Sequence, residues 1–170
     1  GLNRFFGLGI DRPGLAELGA QLGSDVPFFV YGPLSVCRGR GERIQQLDSP
    51  FHFTAALITP NVSVSTERVY RNYRHDPEEY DKLHAQINNC IHENRIAFAA
   101  KMCANMLSES CFRLERGLAE LKSKIESAGL GPLCLSGSGS AMFCLLENSG
   151  VQQLEAWSNI LKQEIDCRCA

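Results

Sequence analysis

"IESAGLGPLCLSGSGSAMF", Ile125 to Phe143, opens on the last turns of a helix and closes inside a strand. Upstream, Leu114, Leu118, Leu121, Ile125 and Ala128 step by four, three, four and three. That spacing lines one helix face, and Gly129 supplies the stop. Pro132 to Leu135 then reads as a strand, Ser136 to Ser140 as a tight loop, and Ala141 to Leu146 as a returning strand. A helix delivering the chain into a hairpin sets the class as α+β once the flanking segments are added.

Working outward, the stretch from Pro77 to Ala128 reads as helical almost throughout, in three helices. Before it, Ser65 is placed to cap a helix running to about Arg74. His52 to Thr59 reads as a strand ending at Pro60. After the hairpin come a helix from Val151 to about Lys162 and a short strand from Asp166 to Cys169. Strand, helical block, hairpin, helix and strand is an α+β order. In the first 50 residues, Asp11-Arg12-Pro13 marks a helix entry. Leu15, Leu18 and Leu22 recur at helical spacing, and Gly23 follows as a stop. Short strands are expected at Phe28 to Tyr31, Leu34 to Arg38 and Arg43 to Leu47. Asp48-Ser49-Pro50 punctuates, so the domain boundary is expected near residue 50, giving domains 1–50 and 51–170.

The 170 residues are 44% hydrophobic and 21% charged, the balance of a globular protein with a sizeable core. A net charge of −2 gives no field that would draw the chain to nucleic acid or an anionic membrane. Arg38, Arg40 and Arg43 cluster among glycines, a pattern that suits a hairpin better than a polyanion site. No apolar run approaches the ~20 residues that cross a bilayer. The eight cysteines lack a C-x-x-C pair, and most sit in apolar patterns such as Leu133-Cys134-Leu135. They are expected to be reduced and used as small hydrophobes, which places the protein in the cytoplasm. Residue 1 is glycine rather than methionine, as in a piece of a longer protein.

Three stretches could carry chemistry. In "LSGSGS", Leu135 to Ser140, glycines let a backbone approach a ligand, and successive N–H groups in such a turn can form an anion-binding nest. From the residues alone a plain tight β-turn is the favoured reading. In "TPNVSVSTERVY", Thr59 to Tyr70, Thr66 and Tyr70 stand four apart and share a helix face. They could offer a hydroxyl and a flat ring to one ligand, or Tyr70 could be an ordinary half-buried aromatic. In "GSDVPFF", Gly23 to Phe29, Asp25 is either a residue that hydrogen-bonds its own turn or a carboxylate held to move a proton. The residues alone favour the ordinary aromatic for Tyr70 and leave the choice at Asp25 open.

Together, "LAELGAQLGSDVPFF", "RGRGE", "TPNVSVSTERVY" and the opening run, in this order and spacing, resemble the 4-diphosphocytidyl-2-C-methyl-D-erythritol kinases of the GHMP kinase superfamily. The resemblance covers roughly residues 1 to 150. It implies a ferredoxin-like α+β C-terminal domain preceded by the tail of an N-terminal α/β domain of ribosomal S5-like type, with the active site in their cleft. It also implies transfer of the γ-phosphoryl of ATP, with Mg2+, to a hydroxyl of a cytidine-diphospho sugar alcohol in the non-mevalonate isoprenoid route. The family's Gly/Ser-rich ATP loop, of the type P-x-G-x-G-L-G-x-S-S, and its early lysine lie upstream of the matched region and have no counterpart here. The chain is therefore expected to be an incomplete part of such a kinase, inactive by itself.

Carried over by resemblance, Asp25 falls on the catalytic aspartate, Tyr70 on an aromatic that stacks on the cytosine ring, and Thr66 beside it in the same pocket. Ser136, Gly137, Ser138, Gly139 and Ser140 fall on a loop that approaches the phosphates. No protein metal ligand is implied. Two departures stand out: Ser140 replaces a proline or alanine, and Asn105-Met106-Leu107-Ser108 stands where an N-D-L-E-like run is common. Neither is expected to touch the chemistry. The implied partner is a small molecule with a cytidine diphosphate group, with neither nucleic acid nor membrane involved, and self-association of the isolated chain is allowed for. Weighed against this are another small-molecule GHMP kinase, of homoserine or mevalonate type, and a non-catalytic α+β domain for binding or assembly.

Overall fold

Asp11 accepts a hydrogen bond from the Gly14 N–H at 2.9 Å, and with Pro13 in the first turn this starts a helix where the chain was expected to enter one. The computed structural model describes residues 1–32, 34–47, 53–102, 104–146, 158 and 167–169. These fall into two compact units, Gly1–Pro50 and Phe51–Ala170.

The first unit begins with α1 (Leu2–Phe5) and α2 (Arg12–Ala20). Helix α2 ends before Leu22, which is left exposed beyond it. The run Phe28 to Tyr31, expected as a strand, is instead a single helical turn, α3 (Phe28–Tyr31). Pro27 already has helical angles, φ −56° and ψ −35°. Four apolar residues in a row carry no period that separates strand from helix, so the turn conformation at Pro27 decides. Strands β1 (Ser35–Arg38) and β2 (Arg43–Gln46) follow as an antiparallel hairpin, with Arg38 opposite Arg43.

The second unit runs β3 (Thr54–Pro60), α4 (Thr66–Asn72), α5 (Pro77–His92), α6 (Ile96–Lys101), α7 (Ser108–Leu114), α8 (Arg116–Ser127), β4 (Cys134–Leu135), β5 (Met142–Leu146) and β6 (Cys167–Cys169). The helical block holds four helices where three were expected. The apolar stripe crosses a break at Glu115, whose φ of −126° and ψ of 79° assign Leu114 to α7 and the rest to α8. The helix expected from Val151 to Lys162 lies outside the described residues apart from Ser158.

The sheet order is β4-β5-β3-β6, every neighbour antiparallel. Strands β3 and β4, joined through the helices, flank β5, which is the split β-α-β arrangement of a ferredoxin-like sheet. Strand β3 alternates: Ala56, Ile58 and Pro60 are buried while Leu57 and Thr59 face out. Its buried face meets Met142 and Cys144 of β5, Val69 of α4, Cys111 of α7, and Leu118 and Ile125 of α8. Each large aliphatic side chain so buried is worth about 1.5–3 kcal/mol.

Helix α8 passes into β4 through Gly129, whose φ of +92° suits a glycine at a helix end. Glu126 fixes this join, accepting the Leu133 N–H at 2.8 Å while pairing with Lys122 one turn back. Cys134 is disulfide-bonded, which corrects the expectation that all cysteines are reduced. A cysteine between two leucines looks the same in sequence whether or not tertiary structure brings it a partner. Cys37, Cys90 and Cys111 carry free thiols.

Candidate functional site

Ser65 accepts the Arg68 N–H at 3.3 Å and so starts α4, placing Thr66 in its first turn and Tyr70 one turn on. Val69, between them, is fully buried and anchors the helix, while Tyr70 stands 61% exposed. The other end of α4 is held by α7: Ser110 Oγ donates to the Val69 carbonyl at 2.7 Å, and Arg113 Nη2 to the Asn72 carbonyl at 2.6 Å. The ring of Tyr70 is thus free to meet a ligand on a helix that is tied at both ends.

Thr66 Oγ1 lies 2.8 Å from Ser138 Oγ, a hydrogen bond across 72 residues of sequence. Two stretches singled out separately in the sequence therefore form one feature. The 136–140 loop turns tightly, closed by Ser136 N–H to the Ala141 carbonyl at 2.9 Å and Gly139 N–H to the Ser136 carbonyl at 3.0 Å. Gly137 and Gly139 take φ of +57° and +95°, where L side chains are strained. Among the described residues, the N–H groups of Gly137, Ser138 and Ser140 donate to nothing. Three such donors in one turn are the makings of an anion nest.

Asn105, in the segment expected not to touch the chemistry, joins this loop. Its Nδ2 donates to the carbonyls of Leu135 and Gly137, both at 2.8 Å, and its Oδ1 accepts the Leu107 N–H at 2.9 Å. A cleft of about 350 Å3 opens beside it, lined in part by Arg74, Leu83, Met102 and Glu109. The sequence signalled Asn105 only through the N-D-L-E-like run to which it belongs, and its partners lie 30 and 32 residues away.

Asp25 belongs to the first unit and sits in the turn between α2 and α3. Its backbone carbonyl accepts the Phe28 N–H at 3.2 Å, but α3 has no side-chain cap. The carboxylate instead accepts from Ser24 Oγ at 3.3 Å and is exposed, and among the described residues no cation pairs with it. The β1–β2 turn comes close: a Cβ on Gly41 would lie 3.5 Å from Asp25 Oδ1 and 2.9 Å from the Ser24 carbonyl. Partial burial, followed by the nearby Asp25 charge, pushes the Cys37 thiol up from its usual value. Within that turn Glu42 accepts the Arg40 N–H at 2.7 Å, and the bonds from its own and the Arg40 backbone N–H hold its carboxyl below the usual range. The arginine cluster is thereby the hairpin feature that the sequence suggested.

Among the described residues no group of three or more His, Cys, Asp or Glu side chains converges as a metal cage, and no helix is long and apolar enough to cross a membrane.

Residues 84–163 match the family described as GHMP kinases C terminal. The chain is 34% identical over 148 residues to the 4-diphosphocytidyl-2-C-methyl-D-erythritol kinase of Geobacillus sp. (strain WCH70), covering 87% of this chain and 51% of that protein. It is 34% identical over 155 residues to the Bacillus subtilis (strain 168) protein of the same name, covering 91% and 53%. A crystal structure of 4-(cytidine 5'-diphospho)-2C-methyl-D-erythritol kinase superposes with a TM-score of 0.67 at 28% identity, over 99% of this chain and 59% of that one. The chain spans about half the length of the curated relatives it matches.

Proposed function

From the premise that this chain carries a GHMP kinase C-terminal domain, we propose that the protein containing it transfers the γ-phosphoryl of ATP to a hydroxyl of 4-diphosphocytidyl-2-C-methyl-D-erythritol. The observation that carries this reading is the Thr66–Ser138 hydrogen bond, which sets an exposed aromatic ring and a loop whose N–H donors are unpaired among the described residues on one tied framework. A nucleotide-linked substrate calls for that pair of features, a π-face for its base and donors for phosphate charge.

Tyr70 stacks on the cytosine, an interaction worth roughly 1–3 kcal/mol, with Thr66 beside it. The 136–140 loop faces phosphate. Asp25 orients the acceptor hydroxyl and takes its proton, a contribution of about 10²–10⁴-fold. Phosphoryl transfer asks little covalent help beyond such positioning and charge neutralisation. ATP supplies the phosphoryl group, and the three loop N–H groups that have no partner among the described residues suit phosphate oxygens. For Mg2+, no group of three or more His, Cys, Asp or Glu side chains converges among the described residues. We place residues 1–50 as the remnant of an N-terminal GHMP kinase domain and residues 51–170 as the C-terminal domain. We assign the main ATP-binding elements to sequence outside these 170 residues, expect the isolated chain to be inactive, and place the protein in the cytoplasm. Exposed Leu2, Phe5, Phe6 and Leu22 favour self-association of the isolated chain.

Asp25→Asn, made in the longest protein that contains this chain, tests the assignment. A fall in kcat of about 10²–10⁴ with KM little changed is expected. An unchanged kcat would return Asp25 to the role of a turn residue.

A further inference from the structure

We propose that Asn105 is a positioning residue that sets which way the 136–140 loop presents its peptide groups, and thereby tunes the affinity for a phosphate-bearing ligand. The proposal rests on the reading of that loop as phosphate-facing.

The argument starts from the planarity of the peptide. Across a trans peptide the C=O and the following N–H point to opposite sides. The 137–138 peptide is trans, since the cis bonds of the chain are elsewhere. With the Gly137 carbonyl held 2.8 Å from Asn105 Nδ2, the Ser138 N–H must point away from Asn105. The same holds two peptides earlier, where the Leu135 carbonyl is held by Asn105 and the Ser136 N–H turns to the Ala141 carbonyl. Asn105 thus gathers two carbonyl oxygens, whose partial negative charge would repel an anion, on one side of the loop. Among the described residues the Gly137, Ser138 and Ser140 N–H groups have no partner and can meet that anion.

The side chain suits this task in a way its neighbours in chemistry do not. Both amide hydrogens and the oxygen are in use, at 2.8, 2.8 and 2.9 Å. The oxygen's bond to Leu107 N–H ties the amide to the start of α7, so the two donors cannot rotate freely. Aspartate has the same shape but no donor, and would set a carboxylate against two carbonyl oxygens.

Two measurements test the proposal. In the 170-residue chain, amide hydrogen exchange is compared for the native protein, Asn105→Ala and the isosteric Asn105→Asp. The Ser136 and Gly139 amides are expected to exchange at least about tenfold faster in both variants, while Leu118 and Ile125 keep their protection and report that the fold is intact. In the longest protein containing this chain, KM for ATP is expected to rise about tenfold in both Asn105 variants and in a loop variant, Gly137→Ala, with KM for the acceptor substrate little changed.

Unchanged exchange at Ser136 and Gly139 would overturn the positioning role. Faster exchange with KM for ATP raised only by Gly137→Ala would overturn its link to the ligand. KM for ATP unmoved by all three variants would overturn the phosphate reading of the loop, and the functional half of the proposal with it. A purely structural asparagine would lower the unfolding midpoint and leave KM where it was.

Discussion

Two glycines of one loop, both at positive φ, make a controlled comparison, because one has a wall beside it and the other has open space. A Cβ added at Gly139 would lie 2.8 Å from Cys111 Sγ and 3.3 Å from Leu135 Cδ1, closer than such atoms pack without something moving. A Cβ added at Gly137 meets nothing within 4 Å. Alanine at positive φ costs about 1–2 kcal/mol at either position. Overpacking a fully buried neighbour adds about 1–3 kcal/mol at Gly139 alone, since Cys111 is buried in the core. Gly139→Ala is therefore expected to be the less stable variant by about 1–3 kcal/mol. With a urea m-value of about 2 kcal/mol/M, its midpoint by far-UV circular dichroism falls about 0.5–1.5 M below that of Gly137→Ala. The excess should shrink in a Cys111→Ala background, which removes the sulfur and makes the comparison a double-mutant cycle. Equal midpoints, or a penalty undiminished without the sulfur, would refute the claim that the loop is seated on Cys111.

Tyr70→Ala, in a protein active as a kinase, should raise KM for the cytidyl substrate by roughly 5- to 150-fold, the equivalent of 1–3 kcal/mol, with KM for ATP little changed. Because Tyr70 is exposed and Val69 is the anchor, its unfolding midpoint should stay within about 0.5 kcal/mol of native. Burial works against ionisation of Glu126, but its bonds from Lys122 and the Leu133 N–H outweigh that and hold its carboxyl below the usual range. A carboxyl depressed on folding stabilises above its unfolded pKa and loses that contribution as pH falls through the folded value. The stability of the native chain should therefore decline below about pH 4.5 more steeply than that of Glu126→Gln, measured as urea midpoints from pH 7 to 3. Parallel acid limbs would show that Glu126 does not matter there.

The features legible in the sequence are those written in neighbouring residues. Ser65 announces the start of α4, Asp11 and Pro13 that of α2, and Gly129 the end of α8, because caps and stops act within one turn. The stripe that includes Leu118 and Ile125 marks buried positions because helix period and burial coincide there. Features that depend on long-range partners were not legible. Phe28–Tyr31 carries no period, so the conformation at Pro27 decided it. The stripe from Leu114 to Ala128 hides the break at Glu115 because two helices can share one apolar face. Asn105 holds a loop thirty residues away, and nothing beside it in the chain hints at the bond. Thr66 and Ser138 were each singled out, but their contact is a property of the fold.

The tying of α4 bears on how such a protein can change over generations. A helix of seven residues is too short to persist alone. Here its shape is supplied by the Ser65 cap, the buried Val69, and the side chains of Ser110 and Arg113. None of these involves the ring of Tyr70. The residue proposed to stack on the ligand is therefore decoupled from those that hold the platform, and it can be exchanged without endangering the scaffold. If Tyr70 stacks on the ligand as proposed, preference can drift at one exposed position while selection on folding stays silent, which would make this corner of the domain an evolvable socket.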